Sequence, residues 1–207
     1  MQSMIHQKGG IPSLKNSLGA EWRPIQSDGR WGLGCFCWNE TPLGDPLPFF
    51  LAEESNQSVY TLSSWRVLED TPQRASLLFE GVCGKLGIRV TAVMTADAPA
   101  VTFTYEIDPI HPVYHRVYAP IPFYAPKAVF LKYPYEDTLY AGSERWSVET
   151  DISRMPVSFG CEQLDGRDHF LCVGYHLDDP FDQGRFELDP KGAPDAPFRI
   201  YSPFKGM

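Results

Sequence analysis

The sequence is poor in the features that mark membrane, secreted and nucleic-acid-binding proteins. No run approaches the roughly 20 apolar residues of a membrane span, and the N-terminal segment MQSMIHQKGGIPSL has no apolar core of signal-peptide type. Basic residues number 18 against 26 acidic ones and form no patch, which argues against a phosphate-backbone partner. We therefore expect a soluble, cytoplasmic protein that binds neither nucleic acid nor a membrane.

Several local signals of chemistry are also missing. No stretch longer than two helical turns has a period near 3.6 residues, GRWGLG lacks the strand-then-helix setting of a phosphate loop, and no Ser-centred nucleophile elbow occurs. Five cysteines, an odd number, do not suggest a secreted disulfide framework. These absences leave no cofactor to predict.

Turn formers and aromatic residues are abundant instead. The chain has 19 Pro, 17 Gly and 14% aromatic residues in 207 positions, a composition that favours short strands joined by many turns. All-β sandwiches of about 200 to 250 residues commonly form one domain. We predict an all-β, antiparallel β-sandwich that occupies residues 1–207 as a single domain.

A hairpin over residues 88–108 is the clearest local pattern. IRVTAVMT and VTFTYEID both alternate apolar and polar residues, the period of strands with one buried face, and Asp97 and Pro99 favour a turn between them. Two more strands are predicted at 59–68 and 75–82. The four strands form a meander, and we expect the hairpin to lie at the centre of the sheet.

The flanking segments contain further candidate strands. A strand at 32–40 has Leu33, Cys35 and Cys37 on one face and Gly34 and Phe36 on the other. The prolines of residues 109–135 exclude uninterrupted central strands there and predict an edge strand or an extended loop. Later strands are expected at 146–150, 157–162 and 169–177 and in the C-terminal FRIYSPF.

Two stretches resemble a known family. GGIPSLKNSLGAEW followed by WGLGCFCWNE is similar to the opening of the β-supersandwich domain of family 38 α-mannosidases and, more distantly, of aldose mutarotases. In those domains a Gly-Gly, a Ser-Leu and a Gly-x-Glu precede a strand with an aromatic residue, and the matching residues here are Gly9 with Gly10, Ser13 with Leu14, and Gly19 with Glu21. The later strand pair and the aromatic AVFLKYPYE segment follow the same order.

The resemblance implies a fold and two functions, and a third function stays open beside them. The fold is of the galactose-mutarotase type, with two large antiparallel sheets face to face, although this chain is shorter than such domains usually are. The mannosidases' catalytic domain has no counterpart, so the first expectation is a carbohydrate-binding or accessory module. The alternatives are an aldose-1-epimerase-like enzyme and an interaction scaffold without a small-molecule site.

An epimerase would need a base for the anomeric hydroxyl and an acid for the ring oxygen, which the mutarotases provide with Glu and His residues. The candidates are His111, His115 and Glu106, with His169, His176, Glu149 and Glu162 behind them. His111, flanked by prolines, is explained equally well as a loop residue bonded to the backbone. His176 with Asp178 and Asp179 suggests a metal site less strongly than a solvated turn, and no metal is predicted.

Aromatic residues between prolines are the candidates for a sugar platform, because aromatic rings stack on sugar C–H surfaces. They are Tyr114, Tyr118, Tyr124, Tyr133 and Tyr135. Cys35 and Cys37 could bind metal or oxidise, but buried small side chains are the preferred interpretation. A homodimer or a separate catalytic subunit stays open as a protein partner.

Overall fold

The computed structural model describes residues 3–53, 59–83 and 86–108 and, in the remainder of the chain, eight backbone strands. The described residues contain strands and no helix. The strands of the first part are β1 Ile5–Lys8, β2 Ile11–Lys15, β3 Ala20–Ser27, β4 Arg30–Trp38, β5 Thr41–Pro42, β6 Ala52–Glu53, β7 Thr61–Asp70, β8 Arg74–Cys83, β9 Leu86–Thr95 and β10 Val101–Asp108. Those of the second part are β11 Tyr114–Pro120, β12 Ala128–Lys132, β13 Asp137–Ala141, β14 Trp146–Thr150, β15 Val157–Leu164, β16 Arg167–Val173, β17 Gly184–Leu188 and β18 Phe198–Lys205.

Three antiparallel sheets contain these strands. The largest has nine strands in the order β1-β2-β3-β4-β7-β8-β9-β10, with β5 beside β4. A five-stranded sheet has the order β14-β17-β18-β11-β6, and a four-stranded sheet has the order β13-β12-β15-β16. The prediction of an all-β antiparallel fold is confirmed.

The predicted meander is confirmed, but its place in the sheet is not. β7 to β10 pair in sequence, and Val101 of β10 lies opposite Met94 of β9. The expectation that the 88–108 hairpin lies at the centre is wrong, because β10 ends the nine-strand order. Alternating burial shows that one face is covered and says nothing about neighbours within the sheet, since an edge strand alternates in the same way.

The early strands are joined by tight turns with left-handed residues. Gly9 and Gly10 join β1 to β2 at φ angles of 61° and 82°. Asp28 and Gly29, at 51° and 73°, join β3 to β4 as a type I′ turn, for which Asp-Gly is a strong sequence signal. The resulting β1–β4 layer holds the candidate site described below.

The nine-stranded sheet folds back on itself around aromatic residues. Its halves β1–β4 and β7–β10 are joined by one paired position, Trp31 with Leu62. Trp22 of β3 is fully buried and makes edge contacts with Phe79 of β8 and Phe103 of β10, at ring-centroid distances of 5.7 and 5.2 Å. The two halves therefore face each other as the layers of a sandwich, with the core between them.

The Pro-rich segment after β10 forms strands with neighbours on both sides. β11 lies between β18 and β6, and β12 lies between β13 and β15. The expectation of an edge strand or loop is wrong for these stretches, because the strands fit between the prolines: β12 contains none, and Pro120 is the last residue of β11.

The later predicted strands are confirmed as β14, β15, β16 and β18. The assignment of residues 1–207 to a single domain stays a prediction. No helix long and apolar enough to cross a bilayer occurs in the part of the chain that the structure describes.

Candidate functional site

A polar cluster lies on the face of the β1–β4 layer that is turned away from the core. Glu21 and Arg23 of β3 lie directly opposite Cys37 and Cys35 of β4. Trp22, between Glu21 and Arg23, packs on the other face against the core aromatics. We call Lys15, Glu21, Arg23, Cys35 and Cys37 the dithiol cluster, since Lys15 of β2 lies opposite Glu21 and completes the row.

A bulge in β4 fixes this register. Arg23 lies opposite Cys35 and Ile25 opposite Gly32, so Leu33 and Gly34 together face the single residue Pro24. Gly34 has a φ of 68°, and a Cβ there would overlap the Arg23 carbonyl oxygen. Glycine is therefore needed at this position for the strands to approach so closely.

The bulge also corrects the predicted faces of β4. Simple alternation put Leu33 on the face of Cys35 and Cys37. In the structure Leu33 belongs to the buried core cluster, which does not include the two cysteines. The extra residue reverses the alternation, and Phe36 packs on Phe103 at 5.9 Å. The prediction that the cysteines share a face and are buried is confirmed.

Glu21 and Arg23 form a two-pronged ion pair. Nε and Nη2 of Arg23 donate to Oε1 and Oε2 of Glu21, each at 2.7 Å. The hydrogen bonds from Arg23 lower the pKa of the Glu21 carboxyl against the effect of its burial. Lys15 Nζ lies 4.0 Å from Glu21 and 3.1 Å from the exposed carboxylate of Glu40. The guanidinium is thereby held beside the thiols.

The two thiols are free and lie in contact. The Sγ atoms of Cys35 and Cys37 are 4.0 Å apart, and one thiol donates a hydrogen bond to the other. The hydrogen bond between the two thiols lowers the pKa of Cys35 to about 7, with a further contribution from the charge of Arg23. The same interaction raises the pKa of Cys37. At neutral pH the pair can therefore carry one negative charge on Cys35.

Sequence reasoning noted the cysteines but missed Glu21 and Arg23 as their neighbours. The alternation of E-W-R in β3 and C-F-C in β4, joined by the Asp-Gly turn, was a usable signal for two facing pairs. The bulge at Gly34 is what decides which residues face each other, and sequence alternation alone does not predict it.

The predicted acid–base residues are not brought together among the described residues. Glu106 lies on the exposed side of β10, where its carboxylate is 2.9 Å from Nε of Arg89, and Arg89 also contacts Asp108 at 3.1 Å. His115 is a register position on β11, opposite Phe204. His111 and His176 lie outside the described residues, as does the Asp178–Asp179 pair. Their catalytic role stays a prediction.

The secondary acid–base candidates are spread over three strands of two sheets. His169 of β16 lies opposite Cys161 of β15, Glu162 follows in the irregular part of β15, and Glu149 of β14 lies opposite Arg185 of β17. Within the part of the chain whose side chains are described, no group of three or more His, Cys, Asp or Glu residues could hold a metal ion.

Two predicted sugar-platform residues share one face of the five-stranded sheet. Tyr114 and Tyr118 are four residues apart on β11 and so have the same parity, whereas His115 has the opposite one. Tyr118 lies opposite Tyr201 of β18, which lies opposite Arg185 of β17. Tyr124, Tyr133 and Tyr135 lie outside the described residues.

The two faces of this sheet differ in composition. We call the first the tyrosine face; its positions are Ser147, Glu149, Arg185, Glu187, Arg199, Tyr201, Pro203, Lys205, Tyr114, Arg116, Tyr118, Pro120 and Ala52. The positions of the other face are Trp146, Val148, Thr150, Gly184, Phe186, Leu188, Phe198, Ile200, Ser202, Phe204, His115, Val117, Ala119 and Glu53. Most of the charged residues therefore lie on the tyrosine face and most of the large apolar residues on the other, while Ala52, which is fully buried, lies on the tyrosine face opposite Tyr118.

No family model, curated protein or solved structure matches the chain. The likeness to the mannosidase and mutarotase sandwiches therefore depends on the quoted residues and on the all-strand antiparallel architecture.

Proposed function

We propose that the chain is a carbohydrate-binding β-sandwich module and that the tyrosine face receives the sugar. The observation that carries this proposal is the register of β11, β18 and β17, which aligns Tyr118, Tyr201 and Arg185 in one row. Aromatic rings stack on the C–H surfaces of sugars, and guanidinium groups donate to hydroxyl oxygens. A row of this composition offers both kinds of contact over neighbouring strands about 4.8 Å apart.

The one-sided composition of the sheet supports the same proposal. Most large apolar positions lie on the other face, so most of the charged groups that could bind a polar ligand lie on the tyrosine face. Arg116 lies between Tyr114 and Tyr118 in the same parity, and Glu187 lies two residues from Arg185. Charged groups between aromatic positions suit a ligand that has both hydroxyl and C–H surfaces.

The early turns support a relation to the mannosidase and mutarotase sandwiches. The Gly9-Gly10 pair forms the turn between β1 and β2, and Gly19, at a φ of 95°, precedes β3 with Glu21. In this proposal the chain is an accessory module of the galactose-mutarotase type, acting with a catalytic chain. The free, buried thiols of Cys35 and Cys37 agree with a cytoplasmic location, where thiols stay reduced.

Saturation-transfer NMR with glucose, galactose, mannose and short mannose oligomers tests the proposal. We expect transfer to the sugar with the wild-type protein and roughly five- to tenfold weaker binding for Tyr118→Ala and Tyr201→Ala, because each removes a stacking surface. Tyr118→Phe keeps the ring and should bind nearly as well. His115→Ala is the matched control, because His115 lies on the same strand as Tyr118 but at a position of the opposite parity.

The same samples separate the alternatives. If the wild-type protein speeds the approach of α-anomers to equilibrium, and His115→Ala and Glu106→Gln lose this effect, the epimerase-like enzyme becomes the better hypothesis. Binding that is unaffected by both tyrosine variants would contradict the tyrosine face. Absence of any sugar signal with every ligand would contradict carbohydrate binding and favour the interaction scaffold.

A further inference from the structure

The dithiol cluster has a chemistry that sugar binding does not use. Cys35 and Cys37 are separated by one residue, share a face of β4 and hold their Sγ atoms 4.0 Å apart. A disulfide requires Sγ atoms about 2.05 Å and Cβ atoms about 3.5–4.5 Å apart, so closing the bond needs a bend of the strand at Phe36 as well as rotation of the two side chains. Phe36, between them, faces the core and does not stand in the way.

The neighbours of the thiols favour a thiolate. Arg23 lies opposite Cys35 and is fixed by its two hydrogen bonds to Glu21. A positive charge beside a thiol stabilises the thiolate, which is the reactive form. Arg23 is therefore a positioning residue whose charge stabilises the thiolate, and it does not itself react.

We propose that Cys35 and Cys37 form a redox-active dithiol that closes reversibly into an intramolecular disulfide when it meets a low-molecular-weight disulfide. This site is independent of the proposed sugar-binding face, which lies on other strands.

The reaction proceeds by two exchanges. The Cys35 thiolate attacks one sulfur of the small disulfide, a mixed disulfide forms, and one small thiolate leaves. The Cys37 sulfur then attacks Cys35 Sγ, its proton passes to the second leaving thiolate, and the mixed bond breaks. The dithiol loses two electrons and two protons in total, and the small disulfide gains them as two thiols.

The register favours Cys35 as the attacking residue. Cys35 lies opposite the guanidinium of Arg23, which stabilises a thiolate, whereas Cys37 lies opposite the carboxylate of Glu21, which disfavours one. The lower pKa is also that of Cys35, at about 7. Cys37, whose pKa is raised, keeps its proton until the mixed disulfide has formed and then acts as the resolving thiol.

The strand geometry makes the disulfide easy to reduce. Residues two apart on a strand have Cα atoms about 6.4 to 6.8 Å apart, the upper limit for a disulfide, and their Cβ atoms are nearly as far apart, so the bond forms only if the strand bends locally. A bond at this limit is strained, and strained disulfides belong to the labile, regulatory class rather than the structural one.

Peptide mapping tests the inference on the folded full-length chain. Trypsin releases residues 31–66 as one peptide, bounded by Arg30 and Arg66, and this peptide contains Cys35 and Cys37 and no other cysteine. The protein is equilibrated with oxidised or reduced glutathione, its free thiols are blocked with iodoacetamide, and the peptide is weighed. We expect a peptide lighter by two hydrogens and unblocked after oxidised glutathione, and a doubly blocked peptide after excess reduced glutathione.

Two matched variants assign the roles. Cys37→Ser should accumulate glutathione on Cys35, because the resolving thiol is gone, whereas Cys35→Ser should react at least about tenfold more slowly than wild type. A measurement that needs no variant is binding of a monoaryl trivalent arsenical, which bridges two neighbouring thiols. It should add one arsenical to peptide 31–66 in the native protein.

Three results would overturn the inference. A doubly blocked peptide after oxidised glutathione, in a protein that forms the bond once unfolded, would leave the cysteines as buried small side chains. A bond that persists in excess reduced glutathione would be structural rather than reversible. A native protein that takes no arsenical would show that the thiols cannot meet on the folded strand.

Discussion

The ring of Trp22 on β3 meets the ring of Phe103 on β10 edge to face, with centroids 5.2 Å apart and an interplanar angle of 82°. The two strands are five steps apart in the sheet order, which in a flat sheet would separate them by about 24 Å. The contact exists because the sheet folds over between β4 and β7. Trp22 thereby links the two layers of the sandwich.

Replacing Trp22 should be the most damaging single change in the core. The side chain is fully buried, contacts Phe50, Phe79 and Phe103, and its Nε1 donates to the Leu33 carbonyl oxygen at 2.7 Å. We expect Trp22→Ala to lower the free energy of unfolding by about 3–5 kcal/mol in urea denaturation. Trp38→Ala is the control: that residue is 36% exposed, so its loss should cost about 1 kcal/mol or less. Equal losses in both would contradict the central role of Trp22.

Gly34 should tolerate no side chain, whereas Gly29 should. Both have a positive φ, 68° and 73°, but a Cβ at Gly34 would overlap the Arg23 carbonyl oxygen and one at Gly29 meets nothing within 4 Å. Gly29→Ala should cost about 1–2 kcal/mol through its backbone conformation alone. Gly34→Ala should cost clearly more and should also slow the thiol reaction, because the bulge sets the register of Arg23 and Cys35. Similar costs for the two variants in thermal denaturation would rule out the steric reason.

Asn16 holds the turn after β2 against the β9–β10 connection. Its Nδ2 donates to the carbonyl oxygens of Thr95 and Ala98 at 3.0 and 2.7 Å, and its Oδ1 accepts from the amides of Leu18 and Ala20. Asn16→Asp keeps the shape but removes both donors from a residue that is 4% exposed. We expect a loss of about 2–3 kcal/mol and faster amide exchange at residues 96–100. Unchanged exchange there would show that the side chain does not join the two segments.

The Glu21–Arg23 pair should make stability depend on acid pH. Arg23 lowers the folded-state pKa of Glu21, so the pair's contribution is complete above the unfolded pKa of about 4.3 and is lost as the pH falls through the lower, folded value. Glu21→Gln should therefore be less stable than wild type by about 1.5–3 kcal/mol at pH 7, with the difference shrinking below pH 4. A difference that stays constant between pH 7 and pH 3 would contradict this assignment.

Alkylation of Cys35 should rise with pH around a midpoint of about 7, because the thiolate is the nucleophile. The charged groups that surround it are Arg23 and Glu21 on β3, with Lys15 on β2 and His6 on β1 acting on Glu21. Arg23→Gln should move the midpoint upward and slow the reaction at pH 7 by roughly threefold, since a smaller thiolate fraction is partly offset by higher nucleophilicity. The midpoint of Arg23→Lys, which keeps the charge, should lie between those of the wild type and Arg23→Gln. An unchanged midpoint in Arg23→Gln would show that Arg23 does not influence the reactivity of Cys35.

Strand positions could be predicted because the burial of one strand face appears in the sequence as alternating apolar and polar residues. The alternation of Ile88, Val90, Ala92 and Met94 is that of a strand with one covered face, and all four residues are buried. The prolines misled the prediction for β11 and β12, because they bound these strands instead of interrupting them. The sugar-platform residues were chosen by type, and only the register shows that Tyr114 and Tyr118 share a face from which His115 is excluded.

The sequence by itself determined the class of fold, the hairpin turns and the faces of the regular strands, since each of these follows from residues close together in the chain. Only the tertiary structure decided which strands end the sheet, that Trp22 meets Phe103, and that Arg23 lies beside Cys35. The first two depend on how a long sheet folds to bury aromatic surface, which is set by contacts between residues about 80 positions apart in the chain. The third depends on one extra residue at Gly34, where a backbone approach that only glycine allows reverses the pattern of the strand.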